Sequence, residues 1–281
     1  MTDYSVARDF YGRPYVTQDG EPLRYEAGRK TPVNAEPYTR ISTLAGTLED
    51  KGGLIDWVAA RSMMGVVKSE AIYAQLAHLL SAHSDPWAVK EAKKPLKELL
   101  KKAQELGGSD EAAGLGTAFH GLTETLDSGV TPEFIPPKLR PWLDAYEEAM
   151  QDWEPIHIEP FVVCDELKVA GSPDRYLRNR TTGKIVCADI KSGSSDPFYP
   201  MKVSIQVAIG ANSVLYDQET GARTEIDCDI DMGLLIHVPI RSTDGRPRCD
   251  LYPLDLVEGW AGAELAADVR DFRGMKKLVK L

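Results

Sequence analysis

Asp174, Asp189 and Lys191 stand out in this 281-residue chain as side chains whose types and spacing could do chemistry together. The run Lys184 to Lys191 (KIVCADIK) is β-branched and apolar and is bounded by Gly183 and by Ser192-Gly193, the pattern of a central strand entering a loop. Side chains alternate along a strand, so Ile185, Cys187, Asp189 and Lys191 share one face. Ser172 to Arg178 reads as a second strand, with Thr181-Thr182-Gly183 as the turn between the two. A hairpin symmetric about Thr181 and Thr182 sets Asp174 directly opposite Asp189, with Cβ atoms about 5 Å apart. Like charges so opposed destabilise a sheet, and a hard divalent cation between them removes the penalty. Two carboxylates on such a cation, with a lysine alongside to orient or deprotonate water, are the parts of a metal-assisted hydrolase.

Other elements must bring further polar groups to that hairpin. Roughly Asp110 to Asp127 has a helical pattern, with Asp110 and Glu111 suited to its positive end. Gly116 and His120 lie four apart on one face of it, which Glu124 continues. Pro141 to Trp153 reads as a second helix, leading into a strand-like run, IHIEPFVV, that contains Ile158-Glu159-Pro160. Pro200 to Tyr216 reads as a helix with Lys202 and Gln206 one turn apart. Met232 to Ile240 and Arg246 to Leu254 have the character of strands, and Asp255 to Met275 that of a closing helix.

Pro173-Asp174 followed by Asp189-Ile190-Lys191, across a spacer of fourteen residues, resembles the PD-(D/E)XK signature of a large nuclease superfamily. Gly116-Thr117-Ala118-Phe119-His120 looks like the Gly-x-x-x-His motif of the RecB-like branch. Glu159 falls where that branch commonly has an acidic residue, and Gln206 at the Gln of its Gln-x-x-x-Tyr motif. Gly210 replaces the Tyr of that motif, so its DNA-contacting role is either lost or taken by Tyr199 or Tyr216. The run Tyr38 to Leu44 resembles the opening segment of phage-type members, which makes Arg40 a candidate substrate contact. The ordered matches cover about Gly114 to Tyr216.

This resemblance implies an α/β fold with a restriction-endonuclease-like core, a mixed central sheet flanked by helices, behind an N-terminal helical appendage. It implies Asp174, Asp189 and the backbone carbonyl of Ile190 as metal ligands, with His120 as an additional ligand. Glu159 would be a second-metal ligand or would accept a hydrogen bond from metal-bound water. Lys191 would orient or deprotonate the attacking water, while Gln206 and Lys202 hold the substrate backbone. The expected ion is Mg²⁺ or Mn²⁺, the imidazole favouring Mn²⁺. No cysteine precedes His120, so the iron-sulfur cluster of some branch members is not expected.

Composition sets bounds on this expectation. The formal net charge of −10 argues against extensive metal-independent DNA binding, although carboxylates that hold a cation account for part of it. Four widely spaced cysteines, with no C-x-x-C pair, give no reason to invoke structural zinc or disulfides. No run approaches the roughly 20 apolar residues of a membrane span and the N-terminus lacks a signal-peptide pattern, so the expected location is the cytoplasm, the host's if the chain is phage-encoded. There is no P-loop, dinucleotide fingerprint, G-x-S-x-G or H-E-x-x-H motif.

The expected division is an irregular arm and helical appendage over residues 1–108 and the nuclease core over 109–281. Residues 1 to about 37 read as irregular, and Ser42 or Thr43 as a helix cap. Ile55 to Glu70 and Ala71 to Ala82 look helical. Pro86 to Leu106 has an apolar stripe and six lysines, with Pro95 inside; the interleaved Glu91, Glu98 and Glu105 favour a solvated face over one that tracks phosphates. The basic residues Lys276, Lys277 and Lys280 read as a frayed end. Taken together, the expected function is a metal-dependent DNA exonuclease acting on linear single- or double-stranded ends and leaving 5′-phosphate and 3′-hydroxyl products. A replication or recombination protein is a possible partner. The alternatives are a single-strand or structure-specific endonuclease, and a non-cutting DNA-binding or assembly module. The sequence carries no oligomer signature.

Overall fold

The computed structural model describes residues 6–18, 20–193, 201–242 and 244–274. It divides into two compact units, Met1–Glu49 with His120–Leu281, and Asp50–Phe119. The first 49 residues therefore group with the core rather than with the helical appendage, and the division falls inside a helix rather than at residue 108. Among the described residues no helix is long and apolar enough to cross a membrane.

The N-terminal arm is more ordered than its composition suggests. Strands β1 (Tyr15–Thr17) and β2 (Ala35–Pro37) form an antiparallel ribbon, and Val16 is fully buried. Strand β3 (Thr39–Arg40) then leads into the short helix α1 (Ile41–Ala45). Ser42 and Thr43 lie inside α1 and do not cap it: Arg40 holds the N-cap position and no side chain bonds there.

The helical unit is built by α2 (Gly52–Lys68), α3 (Glu70–Ala82) and α4 (Lys90–Leu106), around Ile72, Leu99 and Ala103. Ser69 caps α3 through its hydroxyl, which accepts from the Ile72 N–H. Helices α2 and α4 touch backbone to backbone. A Cβ at Gly65 would lie 1.7 Å from the Ala103 carbonyl oxygen, and one at Gly107 2.1 Å from that of Arg61. Only glycine permits this approach.

The core unit is α/β, with mixed sheets flanked by helices. Helix α5 (Ser109–Asp127) leads to α6 (Arg140–Ala149), then to β4 (Trp153–Ile158), β5 (Val162–Cys164), β6 (Val169–Gly171), β7 (Arg175–Asn179) and β8 (Ile185–Lys191). Helix α7 (Met201–Ala211), β9 (Val214–Tyr216), β10 (Arg223–Thr224), β11 (Met232–His237), β12 (Asp250–Asp255) and α8 (Leu256–Arg273) complete it. One five-stranded sheet has the order β12-β11-β8-β7-β4, with β11 and β8 parallel; the other has the order β10-β9-β5-β6-β3, with β3 and β6 parallel. Helices α1, α7 and α8 share a core with both sheets through Leu44, Ile205, Ile209, Leu235 and Leu256.

Several elements differ from the sequence reading, among them the run IHIEPFVV, which is two strands, β4 and β5, in different sheets. The helix expected from Pro200 to Tyr216 ends at Ala211, where the Ser213 hydroxyl donates to the Ile209 carbonyl, and Tyr216 lies on β9. The strand expected from Ser172 begins at Arg175, because Pro173 has no N–H for a ladder. The strand expected over Arg246 to Leu254 runs from Asp250 to Asp255.

Candidate active site

The hairpin of β7 and β8 has the symmetric register. Arg175 pairs with Ala188, Tyr176 with Cys187, Leu177 with Val186 and Arg178 with Ile185. Continued by one residue, this register sets Asp174 opposite Asp189. The turn is held by Asn179, whose side-chain oxygen accepts from the N–H groups of Thr181 and Thr182, and Gly183 takes the φ of 74° that closes it. Ser172-Pro173-Asp174 is the corner at which the chain leaves the sheet of β6 for that of β7. A second corner, Glu159-Pro160-Phe161, carries it from the sheet of β4 to that of β5. The Asp174 carbonyl joins the corners, accepting from the Glu159 N–H at 3.0 Å. Glu159 is itself held at a φ of 46°, a left-handed conformation uncommon outside glycine.

Around Asp174 and Asp189 negative charge is incompletely matched. Asp174 Oδ2 accepts from the Ile190 N–H at 2.7 Å, which brings the Ile190 peptide against that carboxylate. Asp189 is 7% exposed, and its Oδ2 lies 2.5 Å from Lys191 Nζ. That is an ion-pair distance but not a well-directed hydrogen bond, so this buried oxygen lacks an aligned donor. Burial pushes the Asp189 carboxyl up to about 6; Lys191 pulls it down, and Asp174 adds to the rise. Lys191 keeps about half of its side chain in solvent.

Glu159 meets Glu124 of α5. Its carboxyl is pushed up to about 7, first by burial and then by the charges of Glu124 and Asp174, although the residue keeps its outer edge exposed. The sequence pattern ran the His120 face of α5 on to Glu124; its meeting with Glu159 is a tertiary contact that spacing alone does not give. His120 is partly buried, and burial lowers its pKa against the pull of Asp174, leaving a neutral imidazole at neutral pH. A neutral imidazole is the form that binds metals.

Behind these residues lies a buried charged network. Arg175 is fully buried, and its Nε donates to Asp127 Oδ2 of α5 at 2.6 Å. Tyr146 of α6 donates to the same oxygen at 2.7 Å. Arg175 Nη1 donates to the Asp174 carbonyl at 2.7 Å. The residue next to Asp174 thereby anchors both helices to the corner.

Helix α7 contributes Gln206, which lines a cleft of about 290 Å³ together with Asp174, Asp189, Arg40 and Arg8. Ser42 and Ser172 also line it. Arg8, in the arm, carries no motif in the sequence that could have placed it here. Lys202 Nζ is 3.1 Å from Glu49 Oε2, near enough to Asp189 to lower that carboxyl's pKa. At Gly210 a Cβ would lie 2.6 Å from Cys187 Sγ and 3.0 Å from Pro173 Cγ, so a tyrosine cannot stand there. Tyr176 donates to the Gly210 carbonyl at 2.7 Å. Tyr216 is 4% exposed, and its hydroxyl is engaged by the N–H and hydroxyl of Thr17, so it is structural and not a substrate contact. Tyr199 lies outside the described residues.

As placed, no three His, Cys, Asp or Glu side chains among the described residues could hold a metal ion. The donor set nevertheless fits a hard divalent ion of the Mg²⁺ kind, which keeps several waters and takes only one or two carboxylates from the protein. The buried Asp189 oxygen without an aligned donor, beside Asp174, is where such an ion would be received. No family model matches the chain, and no curated protein matches it at a significant level.

Proposed function

We propose that the chain is a metal-dependent DNA exonuclease with a restriction-endonuclease-like core, resembling the RecB-like branch of the PD-(D/E)XK nucleases. The observation that carries this reading is the pair Asp174 and Asp189, set opposite one another at the end of a hairpin with Lys191 on Asp189 and a cleft above. A structural hairpin gains nothing from two opposed carboxylates. Asp174 and Asp189, with His120 and the Ile190 carbonyl as further donors, would hold a Mg²⁺ or Mn²⁺ ion, which would supply Lewis acidity toward the phosphate. Lys191, beside Asp189 and half in solvent, would orient the attacking water, or would take its proton once its own has passed to solvent. Burial and the charges of Glu124 and Asp174 favour the protonated Glu159 carboxyl, and once ionised Glu159 is an acceptor for water. Gln206, Lys202 and Arg40 hold the substrate backbone, two of them from the cleft wall.

The test is degradation of 5′-labelled and 3′-labelled linear DNA, single- and double-stranded, beside a covalently closed circle, in Mn²⁺, Mg²⁺ or EDTA, with wild type and Lys191→Ala. Metal-dependent loss of linear DNA with the circle spared, absent from the variant, is the expected result. Cutting of the circle would instead establish the endonuclease. Intact substrates throughout would leave a binding module.

A further inference from the structure

In sequence, the lysines of α4 are interleaved with glutamates; on the folded helix they sort by face. The close approach of Gly65 to Ala103 fixes which side of α4 is inward, and Ala92, Leu99 and Ala103 are buried on it. Lys90, Lys94, Lys97 and Lys101, at i, i+4, i+7 and i+11, fall on the opposite side, and all four are exposed. Their Cα atoms span about 16 Å. Glu91, Glu98 and Glu105 follow a neighbouring edge at seven-residue spacing. Among the described residues, Lys101 alone of the four has a carboxylate within ion-pair distance, Glu105 at 3.7 Å. A solvated helix in a chain of net charge −10 has carboxylates in plenty to pair with, yet residues 90–102 hold six lysines against two glutamates.

A second observation lies at the start of the same helix. Trp87 is 49% exposed, with Lys93 Nζ 4.5 Å and Lys97 Nζ 5.5 Å from its ring centroid. Its backbone is fixed by Asp85, which caps the turn through the N–H groups of Trp87 and Ala88. A half-exposed ring set among ammonium groups, at one end of a line of exposed lysines, matches the two needs of a single strand: aromatic faces for bases and cations for phosphates.

We propose that the outward face of α4 and the Trp87 ring form a docking surface for single-stranded nucleic acid. Lys90, Lys94, Lys97 and Lys101 hold phosphates along the strand, and Trp87 stacks a base. The inference rests on the nucleic-acid reading above, extends it to residues outside the motifs, and is read without any cleavage.

The experiment is fluorescence anisotropy of a labelled oligothymidylate with the full chain in EDTA, over a series of salt concentrations. Replacing all four lysines by glutamine, which suits an exposed helix, should weaken binding at least tenfold. It should also lower the slope of log K against log salt by about 3, the value for four phosphates on a single strand. Four arginines should retain both. Trp87→Ala should weaken oligothymidylate more than a duplex of the same length. An unchanged slope in the glutamine variant, an equal Trp87→Ala effect on duplex, or binding to phosphatidylserine vesicles without binding to the strand would each overturn the proposal. Hydrolysis of bis(4-nitrophenyl) phosphate with Mn²⁺ reads the cleft independently. A chain that hydrolyses this small diester without binding the strand sinks the docking surface alone. One that binds the strand with the expected slope and hydrolyses neither substrate sinks the nuclease reading alone.

Discussion

Glu159 and Asp174 stand at two of the corners where the chain passes between its five-stranded sheets, and the Glu159 N–H donates to the Asp174 carbonyl at 3.0 Å. Both corners carry a proline beside the acidic residue, Pro160 and Pro173. The residue that cannot join a ladder ends the pairing, and the carboxylate beside it meets another element: Asp174 the Ile190 N–H of β8, Glu159 the side chain of Glu124 on α5. The acidic character of the site is in this sense a product of how the sheets are joined.

A cation taken up between Asp174 and Asp189 should stabilise the fold by mass action. At a hundredfold excess over Kd the gain is about 2.7 kcal/mol, or a Tm rise of roughly 5–10 °C for a unit of this size. Mn²⁺ should give that rise in wild type and none in Asp174→Ala/Asp189→Ala. Differential scanning fluorimetry with and without EDTA measures it, and an equal rise in both proteins would remove the site.

Through Glu159 and Asp189 the metal-free protein should lose stability as pH rises from about 4.5 to about 7, a trend that the lowered pKa of His120 opposes in part. Glu159 has its folded pKa raised above the unfolded value, so it stabilises the fold while protonated in both states and loses that contribution as the folded carboxyl ionises beside Glu124. Asp189, raised to about 6, has the same sign. Urea denaturation in EDTA at several pH values should give a falling stability over this range, and Glu159→Gln should flatten it. A slope unaltered by the substitution would separate Glu159 from the effect.

Asp127→Ala should destabilise the core unit by about 3–5 kcal/mol, because it leaves the fully buried Arg175 guanidinium without its charge partner. Arg175→Met together with Asp127→Leu should cost far less than either charge-stranding change. Equilibrium denaturation of Asp127→Leu, Arg175→Met and the double variant decides this; additive losses would mean that the pair is not coupled.

Gly210→Ala should cost about 1–3 kcal/mol through overpacking, since the new methyl falls 2.6 Å from Cys187 Sγ. Cys187→Ala in the same chain should recover part of the loss. If the double variant is as unstable as the sum of the singles, the close approach is not its cause.

The hairpin was legible because two alternating strands and a three-residue turn leave one symmetric register, and β7 and β8 adopt it. The cleft as a whole was not. Arg8 reaches it only because the arm is clasped by residues distant in sequence: the Ala7 N–H donates to the Gln218 side chain at 2.7 Å, and Gln218 Nε2 donates to the Tyr15 carbonyl at 2.7 Å. Strands of two or three residues such as β1 and β3 have no periodicity to read, and they exist through their partners. The strand expected from Ser172 failed at Pro173 for a local reason, and the helix expected through Tyr216 failed at Asn212-Ser213, which redirect the chain into β9.

The clasp on the arm also orders events during synthesis. The helical unit draws its core from residues between Asp50 and Phe119 and can fold as soon as those have emerged. The arm, made before its partners, must wait for Tyr216, Gln218 and Arg223, which bond to Thr17, Ala7 and Tyr15. At about 5–20 residues per second that wait is on the order of ten seconds or more. The arm thus leaves the ribosome before its partners and finds its place after them, and until it does, the cleft that holds Asp174 and Asp189 lacks the wall that Arg8 provides.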